Sequence, residues 1–242
     1  MGLHVCHCPQ WRTTVVFTAE PSTFFMNSES SVDAALELIY RLAFMVSLAA
    51  TAGLGVAALA THSYTLQILK YVLLISMAIG WACEIMVGRL VGARRFREAD
   101  DLVRKGVRNG MLASGACVLI AALAAPWVVR GFTQDPAIVQ AAQTLLWLSV
   151  ALELGRVFNL IVIGALRATG DVHFPVWASA ASIVFILGLG SWLMGRWWGL
   201  NGIWLAYVLD ECWRGYLMWR RWQRRGWLPY ASQTARELRL GK

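Results

Sequence analysis

The chain has 242 residues, of which 58% are hydrophobic and only 15% charged. Soluble domains carry about 25% charged residues, so this composition excludes an ordinary water-facing surface and points to a polytopic membrane protein. The formal net charge of +8 does not mark a nucleic-acid binder, because the basic residues fall between apolar runs and in the C-terminal tail. There they set orientation and meet anionic lipid.

Residues 1–32 read as a disordered or unrelated N-terminal tail. His4, Cys6, His7 and Cys8 crowd too closely to surround one tetrahedral ion, and no second ligand pair follows nearby, so no metal site is expected. The other cysteines, Cys83, Cys117 and Cys212, lie in apolar runs and behave as small hydrophobes; the odd count of five supports no disulfide framework.

Six apolar segments follow, at about Leu38–Ala60, Leu66–Val91, Val107–Val129, Ala142–Leu166, Phe174–Met194 and Leu200–Trp219. Each approaches the roughly 20 residues that cross a hydrocarbon core. They are apolar on every face, so they must be helices; a membrane strand would alternate. The basic stretches Arg94–Lys105, Arg167–His173 and Arg220–Lys242 all fall on one side of this six-helix plan. Positive charge resists translocation, which places that side and both termini in the cytoplasm, and His62, Asp135 and Arg196 near the outer face. Trp192, Trp197 and Trp198 at one end, and Trp219, Trp222 and Trp227 at the other, fit interfacial belts.

Four patches carry a family resemblance. GLGVAALATH (Gly53–His62) is similar to the LG-x-x-A-x-A-x-H end of the seventh helix in multidrug and toxic compound extrusion (MATE) transporters. VGRLVGARRFREADDLVRKG (Val87–Gly106) resembles the loop after the eighth helix, and LRATGDVHFP (Leu166–Pro175) the loop after the tenth. GLNGIWLAYVLDECWR (Gly199–Arg214) resembles the twelfth helix. They occur in family order and cover residues 33–228. The resemblance implies an all-α membrane lobe of six helices over 33–228, equivalent to the C-terminal half of a twelve-helix, two-lobe exporter, followed by a basic cytoplasmic tail over 229–242. It implies export of organic, often cationic, small molecules across the cytoplasmic membrane, driven by protons or sodium ions with no other cofactor. The first lobe is missing, so a second six-helix lobe, or another copy of the chain, is the expected partner.

Ionisable residues at membrane depth are costly and usually face a protein interior or a watery cavity. Glu153, Arg156 and Asn159 form one stripe on the fourth segment, able either to bind a cation or to serve as a static ion pair. Asp210, Glu211 and Arg214 form a second set on the sixth, where the i,i+4 pair Asp210–Arg214 favours a structural bridge over a coupling role. The family pattern has a matching Asp and Arg there. Glu37 and Arg41 repeat that spacing on the first segment, where some family members hold a cation-binding acid; either Glu37 or Tyr40 occupies that position. Glu84 has no basic residue three or four places on and is a candidate either for carrying a proton or for inert burial. His62 reads as a packing residue, and Gly106–Gly110 as a close helix contact. No H-E-x-x-H, G-x-S-x-G or P-loop pattern is present, so no enzyme is expected. Two rivals to the exporter stand: a flippase for lipid-linked precursors, which a strongly cationic cavity would favour, and a non-transporting interaction module or inactive truncated product.

Overall fold

A computed structural model describes the backbone over residues 23–240 and the side chains over 35–236. The expectations for residues 1–22, including the Cys6–Cys8 cluster, lie outside the described residues. The described residues form seven α-helices: α1 Thr23–Ala52, α2 Val56–Gly92, α3 Phe96–Arg130, α4 Pro136–Ala168, α5 His173–Ser182, α6 Gly190–Gln223 and α7 Leu228–Leu240. A π-helical segment, Ile183–Leu189, joins α5 to α6 without a break.

The last apolar stretch, His173–Gln223, is 51 residues long, more than twice the length of one crossing. It turns back at Gly199, whose φ of 59° and ψ of −143° are open to glycine. The pairings prove the reversal: Gly195 lies against Ile203, Gly190 against Ala206, and Ser182 bonds to Asp210. Partners on the two sides of Gly199 therefore separate in step, as in an antiparallel hairpin. We call 173–198 the first limb and 200–223 the second. With α1 to α4, the two limbs make six crossings, as expected.

Two boundaries differ from the sequence reading. The first turn lies at Gly53–Gly55, not near residues 61–65, and Gly55 takes φ 103°. His62 therefore belongs to the start of α2 and not to the end of α1, and is fully buried in the second turn of α2 as a packing residue. Hydropathy misses this because Gly53–Ala60 is as apolar as the helix before it. The polar residues that looked like a loop are absorbed by the helix: Thr61 and Thr65 donate to the carbonyls of Ala57 and Thr61 at 2.8 Å, and His62 packs edge-on against Trp204 at 5.3 Å. The second correction concerns Arg94–Lys105. Its turn is confined to 93–95, and α3 is helical from Phe96, burying Ala99 and Val103 beneath exposed arginines.

Helix α4 is the axis of the bundle. It packs along α2, α3 and the second limb, and its buried residues run from Val139 to Leu166. Small residues permit the approach. A side chain at Gly106 would meet the Cys83 sulfur, and one at Gly110 the Ile161 side chain, so this pair acts as close helix packing.

The core is divided. One apolar cluster, with Leu69, Val118, Leu145, Leu152 and Trp204, fills the end remote from the arginines, called here the far end. Another, with Val87, Val103, Ile161, Met218 and Trp222, fills the basic end. Between them every central helix changes character at the same level: Ser76 on α2, Ser114 on α3, Glu153 and Arg156 on α4, and Asp210, Glu211 and Arg214 on α6. At the basic end, α7 caps the bundle through buried Ala231 and Ala235, a Trp222–Trp227 ring stack at 4.5 Å and a bond from Thr234 to the Thr169 carbonyl.

The hairpin supplies a test. A Cβ on Gly202 would collide with the Met194 backbone carbonyl, which cannot swing aside as a side chain can. Gly202→Ala should therefore force the limbs apart and lower stability by about 1–3 kcal/mol, read as an earlier midpoint in detergent unfolding. An unchanged midpoint would contradict the hairpin packing.

Candidate functional site

The two charged sets read separately from the sequence are one network. Arg156 is paired with Glu153 on its own helix and reaches across to Glu211, its Nε donating to Oε1 at 3.4 Å. Asn159 Nδ2 donates to the other Glu211 oxygen at 3.1 Å. On the second limb, Arg214 holds Asp210 at 2.8 Å and Glu211 at 3.1 Å. The expected Asp210–Arg214 bridge is thus present. Glu211, given only a structural part in the sequence reading, is the hub, accepting from two guanidiniums and one amide.

Hydroxyls finish the layer. Ser182, the last residue of α5, donates to Asp210 Oδ1 at 2.6 Å. Ser76 donates to Glu153 Oε2 at 3.4 Å and lies 2.8 Å from the Ser114 hydroxyl. These serines were missed by the sequence reading. Their signal was a lone hydroxyl at the centre of an apolar helix, which also occurs where serine merely bonds its own backbone.

Glu153 is fully buried and Asp210 nearly so, whereas Arg156, Asn159, Glu211 and Arg214 line one wall of an open cavity of about 740 Å³. That cavity runs from mid-bundle toward the basic end, where Arg167 and Glu37 stand at its rim. Apolar walls come from Leu73, Met77, Leu160 and Ile183. Asn159 Oδ1, Ser179 Oγ and Arg214 Nε are buried without hydrogen-bond partners among the described residues, and all three belong to residues lining it. A second, smaller space of about 40 Å³, lined by Tyr40, Phe44, Tyr207 and Asp210 among others, shares Arg156, Glu211 and Arg214 with the cavity. It has room for a water or two.

The remaining candidates separate from this centre. Glu37 is exposed and tied to Arg41 at 2.9 Å; Tyr40 lines both spaces and lies nearer the network. Glu84 is half-buried, its carboxylate about 3.1 Å from where a side chain on Gly164 would begin. It has a polar or electrostatic partner within the fold, so the lack of a base on its own helix does not leave it alone.

A family model, MatE, matches residues 34–192. The chain belongs to the MATE family. An uncharacterized transporter, YisQ, of Bacillus subtilis is 34% identical over 197 residues, covering 79% of this chain and 43% of that protein. The multidrug resistance protein NorM of Vibrio cholerae is 24% identical over 173 residues, covering 69% of this chain and 38% of NorM. A crystal structure of a MATE protein in the bent conformation superposes with a TM-score of 0.66 at 19% identity, covering 82% of this chain and 44% of that one. This MATE chain thus spans less than half the length of the curated relatives it matches. It is a multi-pass membrane protein with the fold of one MATE lobe.

The network makes an unequal stability prediction. Glu211→Gln removes one negative charge from between two buried guanidiniums, and breaking a buried pair typically costs about 3–5 kcal/mol. Glu37→Gln breaks an exposed pair, worth less than about 1 kcal/mol. Unfolding midpoints in one detergent should separate the two variants clearly; equal shifts would show that the network contributes nothing beyond a surface pair.

Proposed function

We propose that the chain is one lobe of a cation-coupled antiporter that exports organic, often cationic, compounds across the cytoplasmic membrane, working with a second six-helix lobe or another copy of itself. It acts as a transporter lobe and not as an enzyme, and its coupling ion is a proton or sodium. The observation that carries the reading is the mid-bundle network. Three carboxylates, Glu153, Asp210 and Glu211, meet two guanidiniums, Arg156 and Arg214. With all ionised, one negative charge is in excess at a depth where charge is expensive. A cation taken up at Glu153 or Asp210 relieves that excess. It also makes the shared wall more positive and weakens the hold of a cationic organic molecule in the cavity beside it. This is the competition an antiporter needs, with the ion biasing one conformational state over the other.

The flippase reading has one observation in its favour: Arg156, Arg167 and Arg214 line the cavity, against Glu37 and Glu211. An anionic lipid-linked cargo would be drawn to such a wall. Competition of a cationic dye and an anionic isoprenyl diphosphate for the cavity separates the two readings.

The ion site is tested in liposomes holding the full chain together with a six-helix first lobe. Glu153→Gln should abolish gradient-driven dye export while the protein still inserts. Because Glu153→Gln leaves Arg156 without its helix partner, Glu153→Gln/Arg156→Leu serves as the control for folding, and should insert normally yet remain uncoupled. Full export by Glu153→Gln would remove Glu153 from the ion site. The chain reconstituted as a lone monomer should export nothing, since the cavity has only one lobe's walls.

Orientation is tested with single cysteines in a background freed of native ones. A cysteine at Asp135, exposed at the far end, should react with an impermeant thiol reagent added outside intact cells. One at Arg97, exposed at the basic end, should stay unlabelled until the membrane is opened. The reverse pattern would invert the proposed topology.

A further inference from the structure

On the side of α4 turned away from the cavity, α3 and the second limb each pack on α4 but meet each other near the basic end, through Asp100 and Trp222, which leaves a groove between them. Phe158, on its floor, is two residues beyond Arg156 and so stands about 200° round the helix from it. Gly155, nearby on that face, touches Cys212 of the second limb, and Leu154 touches Gly115 of α3. Aromatic and aliphatic side chains stand open along the walls: Tyr216 is 51% exposed and Leu112 68%.

At its basic end the groove is closed by a built arrangement. Asp100 accepts from Trp222 Nε1 at 2.8 Å through one oxygen and from Arg104 Nε at 3.2 Å through the other. It thereby holds the Arg104 guanidinium, which lies 5.5 Å over the Trp219 ring. Trp219 in turn packs on Phe158 at 5.6 Å. Arg108, exposed, stands one turn further along α3 on the same face, toward the apolar walls.

We propose that this groove binds one anionic phospholipid, its phosphate on Arg104 and Arg108 and its acyl chains along Tyr216, Trp213 and Leu112. Charge complementarity selects the headgroup: two guanidiniums stand where the apolar helix surface ends, the level at which phosphates lie, and basic pockets between helices at that level take acidic lipids. The apolar walls running away from the arginines select a lipid over a free anion. A second lobe is a poorer occupant, because the polar cavity that a partner lobe would complete lies on the other side of α4. The indole beneath Arg104 keeps the guanidinium at the groove mouth by cation–π attraction. This site is independent of the transport reading and requires only that the chain spans a membrane.

The test is native mass spectrometry of the full chain in detergent, titrated with phosphatidylglycerol or with phosphatidylcholine of the same acyl chains. One phosphatidylglycerol should bind with markedly higher affinity than the choline lipid. A basic residue near an anionic surface is worth about 1 kcal/mol, roughly a fivefold change in affinity. Arg104→Gln/Arg108→Gln should therefore weaken the first phosphatidylglycerol by on the order of tenfold or more. Arg104→Lys/Arg108→Lys, which keeps the charge and guards against misfolding, should lose far less. Arg224→Gln/Arg236→Gln removes two exposed basic residues outside the groove and should leave that first binding event unchanged. Equal losses from both Gln pairs would mean diffuse attraction and overturn the site, as would equal binding of the two lipids. Full displacement by water-soluble glycerophosphate would show a free-anion site, and would overturn the lipid assignment.

Discussion

A sheet of charge crosses the middle of an otherwise apolar bundle, and most of the structure can be understood as its support. Two guanidiniums and three carboxylates taken from water would each pay a desolvation penalty of several kcal/mol if left alone. Here each carboxylate oxygen that the geometry records is met by a donor: Arg156 and Ser76 for Glu153, Arg214 and Ser182 for Asp210, and Arg156, Arg214 and Asn159 for Glu211. That satisfaction depends on helix spacing. Glycines at Gly110, Gly155 and Gly215 bring α3 and the second limb close to α4, which sets the distance the network spans. The apolar clusters above and below then act as clamps, fixing the level at which five crossings present their polar residues.

The same layer gives the lobe its two sides. On one, Arg156, Asn159, Glu211 and Arg214 open onto a cavity that widens toward the basic end. On the other, Glu153 is closed off among Ser76 and Ser114, fully buried. An ion seated at Glu153 and a molecule held in the cavity would meet different atoms yet share Arg156. Communication between them needs no distant pathway, only the choice of partner made by one guanidinium. Behind α4, away from the cavity, the helices offer lipid-facing aromatic surface, so the polar and apolar faces of the lobe are separated by the thickness of a single helix.

Several of these features were legible in the residues. The number of crossings, the helical class and the clustering of arginine at one end follow from run length and charge, because a membrane imposes one solvent on every segment. The family was legible in four short motifs. The π-helical segment and the capping role of α7 were not. Neither departs from an apolar or amphipathic helical pattern, so neither has a hydropathy signature. The turn at Gly53–Gly55 was hidden for the same reason, and it moved His62 from the end of the first helix to the start of α2, where it still packs.

The sequence alone determined which side chains would be dangerous to bury: Glu153, Arg156 and Asn159 on one helix, Asp210, Glu211 and Arg214 on another. Their spacing set the pairs within each helix, since residues three and four apart meet on one face. It could not decide that the two stripes meet. Contact between residues 55 positions apart, as for Arg156 and Glu211, depends on how α4 and the second limb are rotated and how closely they pack. That is decided by glycines and serines whose effect appears when the neighbouring helix is in place. Tertiary structure therefore made Glu211 the centre of the site and moved Glu37 to its rim, because a buried charge takes whatever partner the packing brings within reach.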